Sequence, residues 1–359
     1  MKVPDPLVSI VMPVRNDVRY VEQAAGAVLD QDVPGGLELI LAVGPSGDGT
    51  EDVCARLAQA DERVSIVENP DGSAAAGLNR AVASAAGAVL ARVDARAVVP
   101  PGYLRRAVEL LEVTGADVVG GMQQPRGTTP FEEAVAAAMS SRFGAGDARY
   151  RTGGEPGPTD TVYLGVFRRD AFERAGGFDE SLVRNQDYEL NYRLRARGGV
   201  VYFHPDLRVA YRPRSSLRAL CGQYFQYGQW KQVVVRRHPR SLRWRQLAAP
   251  AMLVANTAGV VVGLTRRRGG LAVPGAYLMA VLGASALVGR NLPPRAAASL
   301  PGVFVTMHGA WGLGFLVGPR GPDAPSRQGC SRVPRPENGL SDARFRSTRV
   351  RSAPRRPPA

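Results

Sequence analysis

Apolar residues in the first part of the chain alternate between short continuous runs and wider, helical spacing. The runs at 8–13 (VSIVMP), 37–43 (LELILAV), 64–68, 88–93 (AVLARV), 117–121 and 161–167 (TVYLGVF) read as buried strands. Between and around them, 20–29, 51–60, 77–84, 101–113, 129–141 and 168–175 carry amphipathic helical patterns. Strands and helices alternating at this spacing predict βαβ units and a mostly parallel sheet. Ligands of such sheets bind beyond the carboxyl ends of the strands, which singles out 15–17, 44–48 and 94–96. The polar, Gly- and Pro-rich stretch 147–160 (DARYRTGGEPGPTD) is long enough to serve as a substrate lid.

After Arg245 the pattern changes. Segments 246–264, 271–289 and 296–318 each run for about 18–23 residues without a formal charge. At about 1.5 Å per residue these lengths suit an apolar bilayer core of about 30 Å. Their many Gly, Ala and Ser residues suit helices packed closely in lipid. Buried core helices of a soluble domain are the other reading, and the third segment also fits an interfacial helix or a hairpin. From 319 onward, Pro, Arg, Ser and Gly dominate, large apolar residues are scarce, and disorder is expected.

Charge and cysteine usage sharpen this picture. The formal net charge is +14, and residues 208–245 hold ten basic side chains and no acid. A basic block directly before apolar segments is where a cytosolic membrane flank is expected. No nucleic-acid-binding motif accompanies it, so a nucleic-acid partner is not expected. Cys54, Cys221 and Cys330 are far apart, which fits a reducing compartment rather than a disulfide framework. The start, MKVPDPLVSIVMPVRN, has no signal-peptide character, so the N-terminal part is expected to stay in the cytosol.

Three features carry candidate chemistry. VSIVMPVRND places Asp17 just after the first strand, ARVDAR places Asp94 after the fourth, and NQDYELNYRL brings Asp187 and Glu189 to a helix start. Free amides at a helix start hold a carboxylate in its ionised form, which suits a general base acting on a hydroxyl. Each feature alone fits a turn, a cap or a surface charge. Their order and spacing distinguish them.

In that order, with AGLNRAVASAAGAVLARVDAR, RYRTGG and QYFQYGQWK beside them, the motifs resemble glycosyltransferase family 2 from about residue 7 to 318. The likeness is to its bacterial exopolysaccharide, succinoglycan-type branch. The resemblance implies a GT-A fold, an α/β nucleotide-diphospho-sugar transferase fold with a Rossmann-like mixed sheet, followed by membrane or interfacial helices. It also implies an inverting transfer from a nucleotide-sugar donor to a polyprenyl-linked saccharide acceptor. By position, Pro13, Arg15 and Asp17 would line the nucleoside pocket, and Asp94 would be the first acid of a DxD-type motif. Asp187 would be the catalytic base. Gln226, Gln229 and Trp230 look like a reduced QxxRW element for acceptor and diphosphate, with Gln229 in the place of Arg.

Departures from the family pattern shape the expectations. Val43 and Gly44 stand where an acidic pair usually reads the base, which leaves uridine selectivity open. Arg96 stands where the second DxD acid would help bind Mg²⁺ or Mn²⁺ beside Asp94. An Arg cannot ligate a cation but can neutralise a diphosphate with a forked pair of hydrogen bonds, so weakened or absent metal dependence is expected.

The resulting partition is a catalytic domain over 1–212, a basic amphipathic interfacial segment over 213–245, two or three membrane helices over 246–318 and a disordered tail over 319–359. The setting expected is the inner (plasma) membrane, with the catalytic domain cytoplasmic and anionic lipids as partners. The alternative is a silent relative that binds nucleotide sugar or lipid as a scaffold; Gly44, Arg96 and Gln229 favour it, and the intact 187–189 stretch opposes it.

Overall fold

The computed structural model describes residues 6–319; the stretch from 320 on, where disorder is expected, lies outside them. Eight strands form one sheet: β1 (Val8–Val14), β2 (Leu37–Val43), β3 (Val64–Glu68), β4 (Val89–Arg92), β5 (Val118–Pro125), β6 (Gly157–Pro158), β7 (Tyr163–Arg168) and β8 (Val201–Tyr211). Their order is β3-β2-β1-β4-β7-β5-β8-β6. The pairs β1–β2, β2–β3 and β1–β4 are parallel, whereas β7 lies antiparallel between β4 and β5. The sheet is therefore mixed, with a parallel half that carries the candidate turns.

Alternation along the strands explains the layers. Ile10 and Met12 of β1 and Leu39 and Leu41 of β2 face one helical layer, while Val11, Ile40 and Ala42 face the other. Both faces are covered, so the strands read as continuous apolar runs. Helix starts follow local chemistry. The Ser73 hydroxyl accepts from the Ala76 amide at the head of Ala74–Ser84, and Thr129 caps Pro130–Ser140 ahead of a proline at its first position.

Strand β8 has no counterpart in the sequence-based expectations, because Pro205 and alternating charges interrupt its apolar pattern. Its pairing with β5 shifts register between Gly120 and Met122, and Pro205 falls in that irregular stretch. A proline without a donor is tolerated there. A side chain on Gly121 would collide with the Leu207 backbone, which explains the bare position opposite.

Three helices long and apolar enough to cross a membrane follow: Trp244–Thr265, Arg268–Gly289 and Pro294–Val317. The last is the most enclosed, with 39% of its apolar window buried against 17% and 11% for the others. Its Leu300, Val303, Phe304 and Met307 pack on Ala134, Ala138 and Met139 of Pro130–Ser140 and on Leu220 and Tyr224 of Leu217–Arg237. Each such buried side chain gains many small van der Waals contacts. Gly314 makes the crossing close: a Cβ there would strike the Phe225 carbonyl on Leu217–Arg237. Leu264, Leu278, Met279 and Leu287 of the outer two helices stay exposed, an apolar surface that suits lipid.

Candidate active site

The loops after β1 and β2 are zipped together. The Asn16 amide donates to the Ser46 hydroxyl at 3.1 Å, the Gly47 amide to Asn16 Oδ1 at 3.0 Å, and the Asp17 amide to Thr50 Oγ1 at 2.9 Å. Asn16 has φ 52°, a left-handed turn that Asn tolerates well. Arg15 is thereby aimed across the loop, donating to the Pro45 and Gly72 carbonyls at 3.3 and 3.2 Å. The GPSGDGT turn is thus a brace for Arg15 and Asp17. No acidic side chain stands at Gly44, where a Cβ would lie 3.2 Å from Gly72 Cα.

A cleft of about 1220 Å³ opens at the carboxyl ends of β1 and β4. Pro13, Arg15, Asp17, Asp94, Arg96 and Asp187 all line it. The connection between its two acidic walls is Arg92, the last residue of β4. Its Nε donates to Asp94 Oδ1 at 2.9 Å, and its Nη1 lies 2.5 Å from Asp187 Oδ1. Arg92 also lies over the Phe178 ring, 5.8 Å from its centre. Burial works against the Arg92 cation, but Asp187 and Asp94 outweigh it and hold its pKa above the usual value.

Asp187 sits at the second position of helix Gln186–Ala196, entered through Asn185 in a left-handed conformation (φ 66°). The surrounding protein desolvates its carboxyl and raises its pKa; Arg92 pulls it back, Asp94 pushes it up again, and the balance lies above the ordinary aspartate value. Its side chain keeps 31% exposure, so the oxygen turned from Arg92 can meet a substrate. Glu189 points elsewhere. Burial opposes its ionisation, but His238 and a two-pronged Arg193 overcome that and lower its pKa. Arg193 also donates to the Gly177 carbonyl at 2.6 Å, so Glu189 serves as a structural brace.

Arg96 pairs with Asp17, Nε to Oδ1 at 2.5 Å, and lies over the Tyr20 ring at 5.1 Å. Half of its side chain stays exposed. These residues do not form an all-protein divalent-cation site: position 96 is a cation, Asp94 shares one oxygen with Arg92, and no group of three His, Cys, Asp or Glu side chains gathers among the described residues.

Helix Leu217–Arg237 departs from the sequence reading. Gln223, Tyr224, Tyr227 and Lys231 line the cleft; Gln226, Gln229 and Trp230 do not. Gln226 is exposed, and its Oε1 accepts from Arg184 at 3.4 Å. Gln229 donates to the Gly318 carbonyl at 2.8 Å, tying the helix to the end of Pro294–Val317. Trp230 is buried with Leu182, Tyr188 and Val234. The helical turn of 3.6 residues puts the matched trio on flanks away from the opening. The 147–160 stretch also differs from a free lid. It contains a short helix, Arg149–Thr152, and strand β6, and Arg245 clamps Asp147 and Asp160 at its two ends.

Arg92 went unnoticed in the sequence although its signal is legible. An arginine closing a strand that is otherwise VLA must be buried, and a buried cation requires carboxylates nearby.

Comparison with known proteins shows the family. Residues 9–176 fit the family model described as "Glycosyl transferase family 2". The succinoglycan biosynthesis protein ExoA of Rhizobium meliloti is 32% identical over 312 residues, covering 85% of this chain and 93% of that protein. A Methanococcus voltae protein is 23% identical, over 66% of this chain and 76% of its own length. It is named dolichyl N-acetyl-alpha-D-glucosaminyl phosphate 3-beta-D-2,3-diacetamido-2,3-dideoxy-beta-D-glucuronosyltransferase. Among solved structures, the mannosyltransferase PcManGT from Pyrobaculum calidifontis, in complex with GDP-Man and Mn²⁺, superposes with a TM-score of 0.60 at 20% identity. That superposition covers 85% of this chain and 88% of the other, and shares the GT-A fold.

Proposed function

The chain belongs to glycosyltransferase family 2, and on that premise we propose an inverting transfer of a sugar from a nucleotide-sugar donor to a lipid-linked saccharide at the cytoplasmic face of the inner membrane. The observation that carries this reading is the pairing of Asp94 and Asp187 through Arg92 within one cleft. Asp187 takes the proton of an acceptor hydroxyl. The hydroxyl oxygen then attacks the anomeric carbon, and the bond to the diphosphate breaks on the opposite side. Positioning the two reactants and accepting the proton supply the catalysis.

Pro13, Arg15 and Asp17 surround the nucleoside, Asp94 stands near the ribose and diphosphate, and Arg96 offers its exposed edge to the charge of the leaving diphosphate. Arg96, in the place of a carboxylate, supports a transfer that does not depend on Mg²⁺ or Mn²⁺. The names of the Methanococcus and Rhizobium relatives support a lipid-linked, cell-envelope or exopolysaccharide acceptor. The basic block 208–245 ahead of the apolar helices supports a cytoplasmic catalytic domain over 1–212, joined by 213–245 to membrane helices over 246–318.

The test is turnover by the detergent-purified full chain across UDP-, GDP- and TDP-sugars, with and without EDTA, beside Asp187→Asn. Consumption of one donor class by the wild type, lost in the variant and retained in EDTA, is the expected outcome. Equal turnover by Asp187→Asn would remove the catalytic assignment, and complete loss on chelation would remove the metal-independent one.

A further inference from the structure

Two cations that line the cleft have no carboxylate partner among the described residues. Lys231, on Leu217–Arg237, is 6% exposed, and its ammonium lies 3.0 Å from the centre of the Tyr188 ring, next in sequence to Asp187. Arg151, on Arg149–Thr152, donates through Nε to the Tyr150 hydroxyl at 3.3 Å, while its Nη1 is sealed from solvent with no acceptor. Its other neighbours include the phenols of Tyr224 and Tyr227. Among the described residues neither cation comes within 4.0 Å of a carboxylate. The nearby Asp160 is engaged by Arg245, with Arg243 at 3.9 Å.

An uncompensated buried cation is costly, and a site that expects an anion is one reason to keep it. Burial depresses the Lys231 pKa well below the usual lysine value, and Asp160 only partly offsets this. The donor's own cations, Arg15 and Arg96, lie on the loops after β1 and β4. Arg151 and Lys231 instead line the cleft together with Asp187 and with Met252, Tyr277, Met307 and Trp311 of the three apolar helices. Tyr224, beside Arg151, packs in one cluster with Met307. One cleft therefore combines a carboxylate, two cations without a carboxylate partner among the described residues, and apolar side chains of the last three helices.

We propose that Arg151 and Lys231 form the seat for the phosphate of a lipid-linked saccharide acceptor, whose hydrocarbon chain packs on Met252, Tyr277, Met307 and Trp311. This rests on the transferase reading above for the identity of the acceptor. The seat replaces the one expected from Gln226, Gln229 and Trp230.

The test is equilibrium binding of farnesyl diphosphate, farnesol, UDP and GDP to the detergent-purified full chain. Farnesyl diphosphate is expected to bind more tightly than farnesol. Arg151→Gln and Lys231→Met are each expected to weaken it on the order of tenfold or more, as lost charge-assisted hydrogen bonds do. UDP and GDP affinities are expected to stay unchanged, and Lys231→Arg to retain binding. Because Lys231→Met removes an uncompensated charge, its Tm without ligand should hold or rise, whereas a lysine kept for packing would lower it.

Unchanged farnesyl diphosphate affinity in both variants overturns the seat. So does farnesol bound as tightly as the diphosphate, or a parallel loss of UDP and GDP, which would assign the cations to the donor. Binding needs no turnover. A chain that transfers no sugar yet binds farnesyl diphosphate through both cations keeps the seat and loses the transferase reading.

Discussion

The Asp187 carboxylate lies 2.5 Å from Nη1 of Arg92, a residue that reaches it from the far end of β4. A sheet residue thus holds a helix residue in register over the cleft, and the helix cannot shift without breaking a charge-assisted contact. Arg92 does more than orient. It offsets part of the desolvation that would keep Asp187 protonated.

Replacing Asp187 with Asn should therefore cost transfer activity by about 10²–10⁴-fold, the range of a lost general base. Arg92 keeps Asp94 as its partner, so the circular dichroism spectrum should match that of the wild type. Activity within a fewfold of wild type in a folded variant would reject the role.

The pH profile follows from the direction of the shift. Asp187 must be ionised to act, and its pKa is raised, so activity should fall on the acid side above the range of an ordinary aspartate near about 3.9. For folding the sign is opposite to that of a paired carboxylate. Its contribution is present below the ordinary aspartate value and is lost as pH rises through the folded one. Arg92→Met removes the lowering influence and should move the acid limb of kcat further up. Asp94→Asn removes a raising one and should move it down. Limbs that coincide in all three proteins would disprove the coupling.

Arg96→Gln should raise the donor Kd by about tenfold, in line with a lost charged hydrogen bond of about 1.5 kcal/mol. It also releases Asp17 from its ion pair, so the effect should appear for nucleoside diphosphate alone as well as for the complete donor. Titration of the full chain with UDP or GDP reads it directly. An unchanged Kd for both would remove Arg96 from the donor site.

Asn185 offers a backbone test. Its φ of 66° turns the chain into the helix that carries Asp187. Gly adopts this conformation freely, and a β-branched residue resists it by about 1–2 kcal/mol. Asn185→Gly should be close to wild type, whereas Asn185→Val should lose up to about 10²-fold in kcat through a displaced base, with a modest fall in Tm. Equal kcat values would show that the turn does not position Asp187.

Gly314→Leu probes the docking of the last apolar helix. The added side chain would meet the Phe225 carbonyl and the Gln229 amide, and overpacking of this kind costs about 1–3 kcal/mol. Thermal melting of detergent-purified protein should show the loss. At Gly302, where nothing lies within 4 Å of an added Cβ, Ala should be neutral.

The parallel half of the sheet was legible because β1, β2 and β4 are buried on both faces and read as unbroken apolar runs. Asp94 and Asp187 could be placed at the opening because strand ends and helix starts have recognisable chemistry. Strand β8 escaped because its Pro205 sits in a pairing irregularity that only β5 creates. The misplaced Gln226, Gln229 and Trp230 show another limit. Motif spacing names a helix, but its rotation is set by what packs behind it, here Trp230 against Leu182 and Val234. Arg92, Arg151 and Lys231 matter through partners present or missing in space, which a linear pattern does not display.

The helix Pro294–Val317 both borders the cleft and packs on Pro130–Ser140 and Leu217–Arg237. A helix that is also a wall cannot be trimmed away without cost: cutting it would strip Leu220, Tyr224 and Ala138 of cover and open one side of the cleft.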